Sequence, residues 1–148
     1  MTDLFELLHY SNELKKANKF FKKENPEAFK ILLNYMLIIE ENYHLSEKQE
    51  YINIINDFLS GIITAEDFSN FFMGVYEGIN AEVQDLKNKE SLALAKFLKN
   101  TYRCEVGILL ASIYGDCDTF LYDSNYSITS EKELKDYAKT LLLKLQDE

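Results

Sequence analysis

Apolar residues recur at three- and four-residue steps along nearly the whole chain, the spacing of one buried face on an α-helix. Leu4, Leu7, Leu8, Leu14, Ala17 and Phe21 predict a first helix over about residues 3–23. Asn25-Pro26 marks a break, with Pro26 suited to the first turn of a second helix that is apolar on most sides and runs from Phe29 to about Tyr43. Ser46 with Gln49 reads as a capping box opening a third helix that ends at Leu59. Ser60-Gly61 follows, and glycine is the usual residue just past a helix end. Thr64, with Asp67 three residues on, is an acidic variant of a capping box. It opens a fourth helix from Ala65 to about Leu86, with Phe68, Phe71, Phe72, Val75, Tyr76, Ile79 and Val83 on its buried side. Glu90 to Ile113 supplies a fifth. Ser130 with Glu133 caps a sixth, with the stripe Leu134, Tyr137, Ala138, Leu141, Leu142 and Leu145.

Six helices on short connections predict an all-α antiparallel bundle. The chain has 148 residues with one proline and five glycines, which leaves little material for the many turns of a β-fold. One domain is expected, divisible near His44-Leu45 into an N-terminal helical hairpin, residues 1–45, and a four-helix core, residues 46–148. No segment approaches the roughly 20 apolar residues of a membrane helix. MTDLFELLHY lacks the basic leader and small-residue cleavage site of a secretion signal, so a cytoplasmic context is expected. Cys104 and Cys117 have no metal-like spacing and read as reduced, partly buried thiols, although a disulfide between them stays open.

The formal net charge is −9. Residues 1–45 hold seven acidic residues and six lysines, a net of −1. The remaining 18 of 25 acidic and ten of 16 basic residues give residues 46–148 a net of −8. Such a surface repels nucleic acid and anionic membrane and steers basic partners toward itself, although acidity also serves solubility alone. Direct nucleic-acid binding is disfavoured, because affinity for phosphate backbones rests on clustered Lys and Arg.

Catalytic chemistry is sparse. No phosphate loop, nucleophile elbow or Cys/His pair is present, so neither an enzyme, a small-molecule substrate nor a cofactor is expected. Glu6-x-x-His9 and Glu41-x-x-His44 have the i, i+3 spacing used in di-iron bundles. However, Glu6 and His9 fall opposite the leucine stripe, and Glu41 and His44 fall at a helix end. Both histidines are therefore expected to be solvated or capping, and no metal is expected. The stretch Ile113 to Tyr126 breaks the pattern and reads as an irregular loop with three aspartates, three tyrosines and no basic residue. Loops on rigid scaffolds concentrate binding residues, and tyrosine is a frequent interface anchor. Asp116, Asp118 and Asp123, with Tyr114, Tyr122 and Tyr126, are thus the first candidates for protein binding. Glu66 and Asp67 on the fourth helix are the next. A plain turn, with the tyrosines covering the core edge, is the other reading.

The order of apolar helix, Leu59-Ser60-Gly61, then Ile63-Thr64-Ala65-Glu66-Asp67-Phe68 resembles the start of the colicin-D-type immunity proteins. Leu109 to Asp118, followed by Ile128-Thr129-Ser130-Glu131-Lys132-Glu133-Leu134, is similar to their later helix, Tyr/Asp turn and last helix. The likeness covers about residues 46–148; the hairpin 1–45 and a longer segment around Gln84–Lys89 depart from it. It implies a stoichiometric inhibitor of a toxin nuclease, a transfer-RNA-cleaving domain of a colicin or contact-dependent inhibition system. In that setting the partner is the toxin domain, and an acidic face would fill the cationic cleft as a substrate mimic. A helical adaptor for some other basic protein, and more weakly a metal-binding bundle, are the competing classes.

Overall fold

A computed structural model describes residues 3–98, 105–122 and 130–147. Among them every regular element is helical: α1 (Leu4–Lys16), α2 (Phe21–Glu24), α3 (Pro26–Ser46), α4 (Lys48–Leu59), α5 (Ala65–Lys89), a 3₁₀ segment (Ser91–Phe97), α6 (Glu105–Tyr122) and α7 (Glu131–Asp147).

Several boundaries follow from local caps. Asp3 Oδ1 accepts the amides of Phe5 and Glu6 at 2.9 and 3.2 Å and starts α1. Asn25 Oδ1 accepts from Ala28 N at 3.1 Å, with Pro26 in the first turn of α3. At the end of α4, Gly61 takes φ 80°. Ile62 N then bonds Asp57 O at 2.9 Å and Gly61 N bonds Phe58 O at 3.1 Å, the paired bonds of a Schellman stop. Thr64 Oγ1 accepts from Asp67 N at 3.0 Å while Asp67 Oδ2 accepts from Thr64 N at 3.4 Å, so the capping box forms as read. Ser130 Oγ likewise accepts from Glu133 N at 3.2 Å ahead of α7.

Five expectations are corrected. The first helix stops at Lys16, because Asn18 enters the left-handed region (φ 55°) and Lys19 N bonds Leu14 O at 2.9 Å; asparagine tolerates that turn better than most residues. Ser46 opens no helix. It is the last residue of α3, and its hydroxyl donates back to Tyr43 O at 2.6 Å, while Gln49 Nε2 donates to Asn53 Oδ1 at 2.8 Å. The boundary expected at His44-Leu45 therefore lies inside a helix. The expected fifth helix is divided into the 3₁₀ segment and α6. α6 in turn runs through Tyr122, so residues 113–122 of the supposed loop are helical. Burial of Val106, Leu110, Ile113 and Cys117 carries the helical period past Gly115, whose helix cost of about 1 kcal/mol is small beside it.

Packing places α4 on α5, α5 on α6, α6 on α7 and α7 back on α4, a closed four-helix ring. Its core is aromatic. Phe58 stacks on Phe68 with centroids 4.4 Å apart, and Phe72 lies 5.0 Å from Tyr51. Each such pair contributes about 0.5–1.5 kcal/mol beyond simple burial. Leu134, Ala138, Leu141 and Leu145 close the ring from α7, with Tyr137 partly exposed. Phe71, expected inside, is 51% exposed. A second apolar cluster joins α1, α3, the 3₁₀ segment and the C-terminal part of α5 through Leu7, Leu32, Ile39, Val83 and Leu94, and Tyr43 packs against both clusters. α3 also crosses α6 closely at buried Gly107, where an added Cβ would lie 2.5 Å from Glu41 Cβ. Among the described residues no helix is long and apolar enough to cross a membrane.

Candidate protein-binding surface

The sequence-derived candidates do not form one loop. Tyr114, Asp116, Asp118 and Tyr122 lie on α6, Glu66 and Asp67 open α5, and Asp123 and Tyr126 lie outside the described residues. Tyr114, Asp118 and Tyr122 are spaced i, i+4, i+8 and share the side of α6 next to α5. There the Tyr114 ring stacks on Tyr76 at 4.6 Å, and its hydroxyl donates to Glu77 Oε1 at 2.6 Å. That hydrogen bond first, then desolvation, then the carboxylates of Glu77 and Asp118 push the Tyr114 phenol up to about 12. Tyr122, 75% exposed, ends the helix. Asp116 is turned the other way, toward α7. Partial desolvation, then the carboxylates of Glu133 and Asp116, hold the Tyr137 phenol above its ordinary value there.

The antiparallel register sets Tyr114 against Tyr76 and Cys117 beside Ser69, so the C-terminal end of α6 lies near the start of α5. Asp67 is engaged in its capping box, which makes it a structural residue before anything else. Glu66 is exposed and borders a cleft of about 480 Å³, shared with Ile62, Glu131 and Lys135. Cys117 is fully buried, and burial pushes its thiol up to about 12 against the opposing Ser69 hydroxyl and so favours the protonated form. Cys104 lies outside the described residues.

The two Glu-x-x-His pairs separate. Glu6 and His9 are exposed on α1, as the leucine stripe requires. His44, expected in solvent or at a cap, is 2% exposed. Its Nδ1 lies 2.6 Å from Tyr51 Oη and its Nε2 lies 2.9 Å from Asn80 Oδ1. With Asn80 presenting its carbonyl oxygen, Nε2 carries the proton and Nδ1 accepts from the Tyr51 hydroxyl, so both ring nitrogens are engaged in the neutral state. Burial pushes the His44 pKa below its ordinary value, with the Asn80 bond opposing. The ring stacks on Tyr76 at 4.3 Å, giving a file of three rings, His44, Tyr76 and Tyr114, from core to surface. Among the described residues no group of three or more His, Cys, Asp or Glu side chains is placed to hold a metal ion.

The sequence reading missed a second surface, where the α3–α4 junction faces α5. Tyr43 donates to Glu82 Oε2 at 2.5 Å, and its ring stacks on Phe97 at 4.5 Å. The hydrogen bond to Glu82, then desolvation, pushes the Tyr43 phenol up to about 12. Glu77 and Glu82 are thus each fixed by a tyrosine hydroxyl from a neighbouring helix. The ion pairs Lys16–Glu13, Lys89–Asp85, Lys135–Glu131 and Lys144–Glu105 draw on other acids. Comparison with family models, curated proteins and solved structures gives no match to this chain.

Proposed function

We propose that the chain is an immunity protein, a stoichiometric inhibitor that binds a cationic toxin nuclease, a transfer-RNA-cleaving domain, and covers its active cleft with an acidic surface. The observation that carries this reading is the ordering of exposed carboxylates: Tyr114 holds Glu77 and Tyr43 holds Glu82, each in one position on α5. A carboxylate fixed before encounter loses less side-chain freedom on binding than a free one. A nuclease cleft lined with cations to hold phosphate is the complementary surface, and the net charge of −9 steers the encounter. The resemblance of residues 46–148 to colicin-D-type immunity proteins supplies the toxin class. It has no catalytic role to assign and no cofactor to hold.

The test is whether a nuclease-toxin reading frame lies directly upstream of the gene, its absence favouring an adaptor, and, where one does, co-expression with that toxin domain. Restored growth with the wild-type chain is the expected result. Growth arrest despite soluble, folded chain overturns the reading. A second reading, a helical adaptor for another basic protein, is favoured by the spread of acids over α4, α5 and α6; that arrest, together with capture of a different basic partner, would establish it.

A further inference from the structure

Phe71, Gly74, Gly78 and Glu82 follow one another on α5 at steps of three, four and four, so they share one strip of helix surface. Beside Gly74 and Gly78 the chain forms a concavity of about 280 Å³ walled by Glu47, Glu50 and Glu82, with no basic side chain among its lining residues. A second concavity of about 390 Å³ shares Glu47 and continues over the stacked rings of Tyr43 and Phe97, where Lys96 lies over the Phe97 ring at 5.1 Å and marks the end of the purely acidic lining. The glycines are the telling feature. Each costs a helix interior about 1 kcal/mol relative to alanine. Yet a Cβ at Gly74 or Gly78 would meet nothing within 4 Å, and neither has positive φ, so the fold itself gives no reason for them. What they provide is a strip of bare backbone that another helix can approach closely. Phe71, half-exposed at the end of that strip, supplies an apolar anchor of the kind found at interface centres.

We propose that this groove is the docking site, and that its occupant is a cationic amphipathic helix of the partner protein. Small residues of that helix rest on the Gly74–Gly78 ledge, an apolar residue meets Phe71, and lysine or arginine side chains reach Glu47, Glu50 and Glu82. The strip from Phe71 to Glu82 is about 16 Å long, three helical turns, the usual span of a helix laid in a groove. Charge disfavours the other occupants. Two-fold pairing of this face with itself would set these glutamates against their own kind, and nucleic acid would bring phosphate against carboxylate. The proposal rests on the reading of the chain as a binder of a basic protein and names the face it uses.

Two probes separate the outcomes. The first is an alanine-based helical peptide of about 18 residues with arginines along one face, titrated into the ¹⁵N-labelled full chain, with the glutamate-substituted peptide as control. Salt-sensitive shifts centred on the Gly74 and Gly78 amides are expected. Shifts elsewhere, or none, overturn the groove. The second probe is the toxin domain of the co-expression test, tested against a Gly74→Gln/Gly78→Gln variant. Glutamine fills the ledge, keeps the charge and favours helix, so the variant's thermal midpoint should be unchanged or higher. A loss of toxin affinity of about tenfold or more is expected, and unchanged affinity overturns the groove while leaving the immunity reading intact. Conversely, peptide binding at the ledge with no toxin binding by the wild-type chain overturns the immunity reading and leaves the groove standing.

Discussion

Replacing Gly107 by alanine should destabilise the fold although alanine is the better helix former. A Cβ at that position would lie 2.5 Å from Glu41 Cβ, 2.9 Å from Cδ and closer still to Cγ. Carbon atoms rest at about 3.5–4.0 Å, so the helices must part by roughly 1 Å or more. Rotation of the Glu41 side chain does not relieve the clash, because its own Cβ is involved and the residue is buried. Overpacking of this kind costs about 1–3 kcal/mol, offset by up to about 1 kcal/mol of helix propensity. With the full offset a net loss of up to about 2 kcal/mol follows. Gly115→Ala is the internal control, being on the same helix with nothing within 4 Å of the added carbon, and it should gain up to about 1 kcal/mol. Urea unfolding followed by circular dichroism measures both, with an unchanged m-value as the check that the unfolded state is the same. Equal stability of the two alanine variants would refute the close approach of α3 and α6.

Stability should fall on acidification through the depressed pKa of buried His44. The unfolded chain takes up a proton near 6.5 that the folded chain refuses until lower pH, so this contribution is complete above about 6.5 and is lost below it, at up to about 1.4 kcal/mol per pH unit. His44→Gln should flatten the slope of urea midpoints between pH 7.5 and 5.5, and an unchanged slope would count against the buried neutral imidazole. Thr64→Ala removes the hydroxyl that accepts from Asp67 N and should cost about 1 kcal/mol by thermal unfolding; no change would mean that the cap is not energetically engaged. Asp116→Asn, Asp118→Asn and Asp123→Asn together should weaken toxin binding less than Gly74→Gln/Gly78→Gln does. Calorimetry that ranks the two the other way would return the docking face to α6.

What the sequence made legible was mainly local. Thr64 with Asp67, Asn25 with Pro26, Ser60-Gly61 and Ser130 with Glu133 act within one turn and mark the helix ends as read, whereas the same spacing at Ser46 and Gln49 is overridden by the continuation of α3. Gly115, Asp116 and Asp118 misled for the complementary reason. Their composition is that of a turn, but Ile113 and Cys117 are buried by other helices and hold the segment in α6. The burial of His44 depends on Tyr51 and on Asn80, 36 residues distant, and no local pattern reports that meeting. Phe71 fits the apolar period of α5 yet is half-exposed, at the edge of the buried stripe. Gly74 and Gly78 were visible as residues. Their role was not, since only packing shows that nothing in the chain occupies the space above them.

As proposed, the chain inhibits its toxin by direct occupation of a cationic cleft. The most direct measurement is titration of the purified chain into a fixed amount of the toxin domain used in co-expression, with cleavage of transfer RNA as the readout at two salt concentrations. Activity should fall linearly to zero at one chain per toxin, with apparent affinity weakening as salt rises, because charge drives the contact. Undiminished cleavage in the presence of excess folded chain would contradict the account.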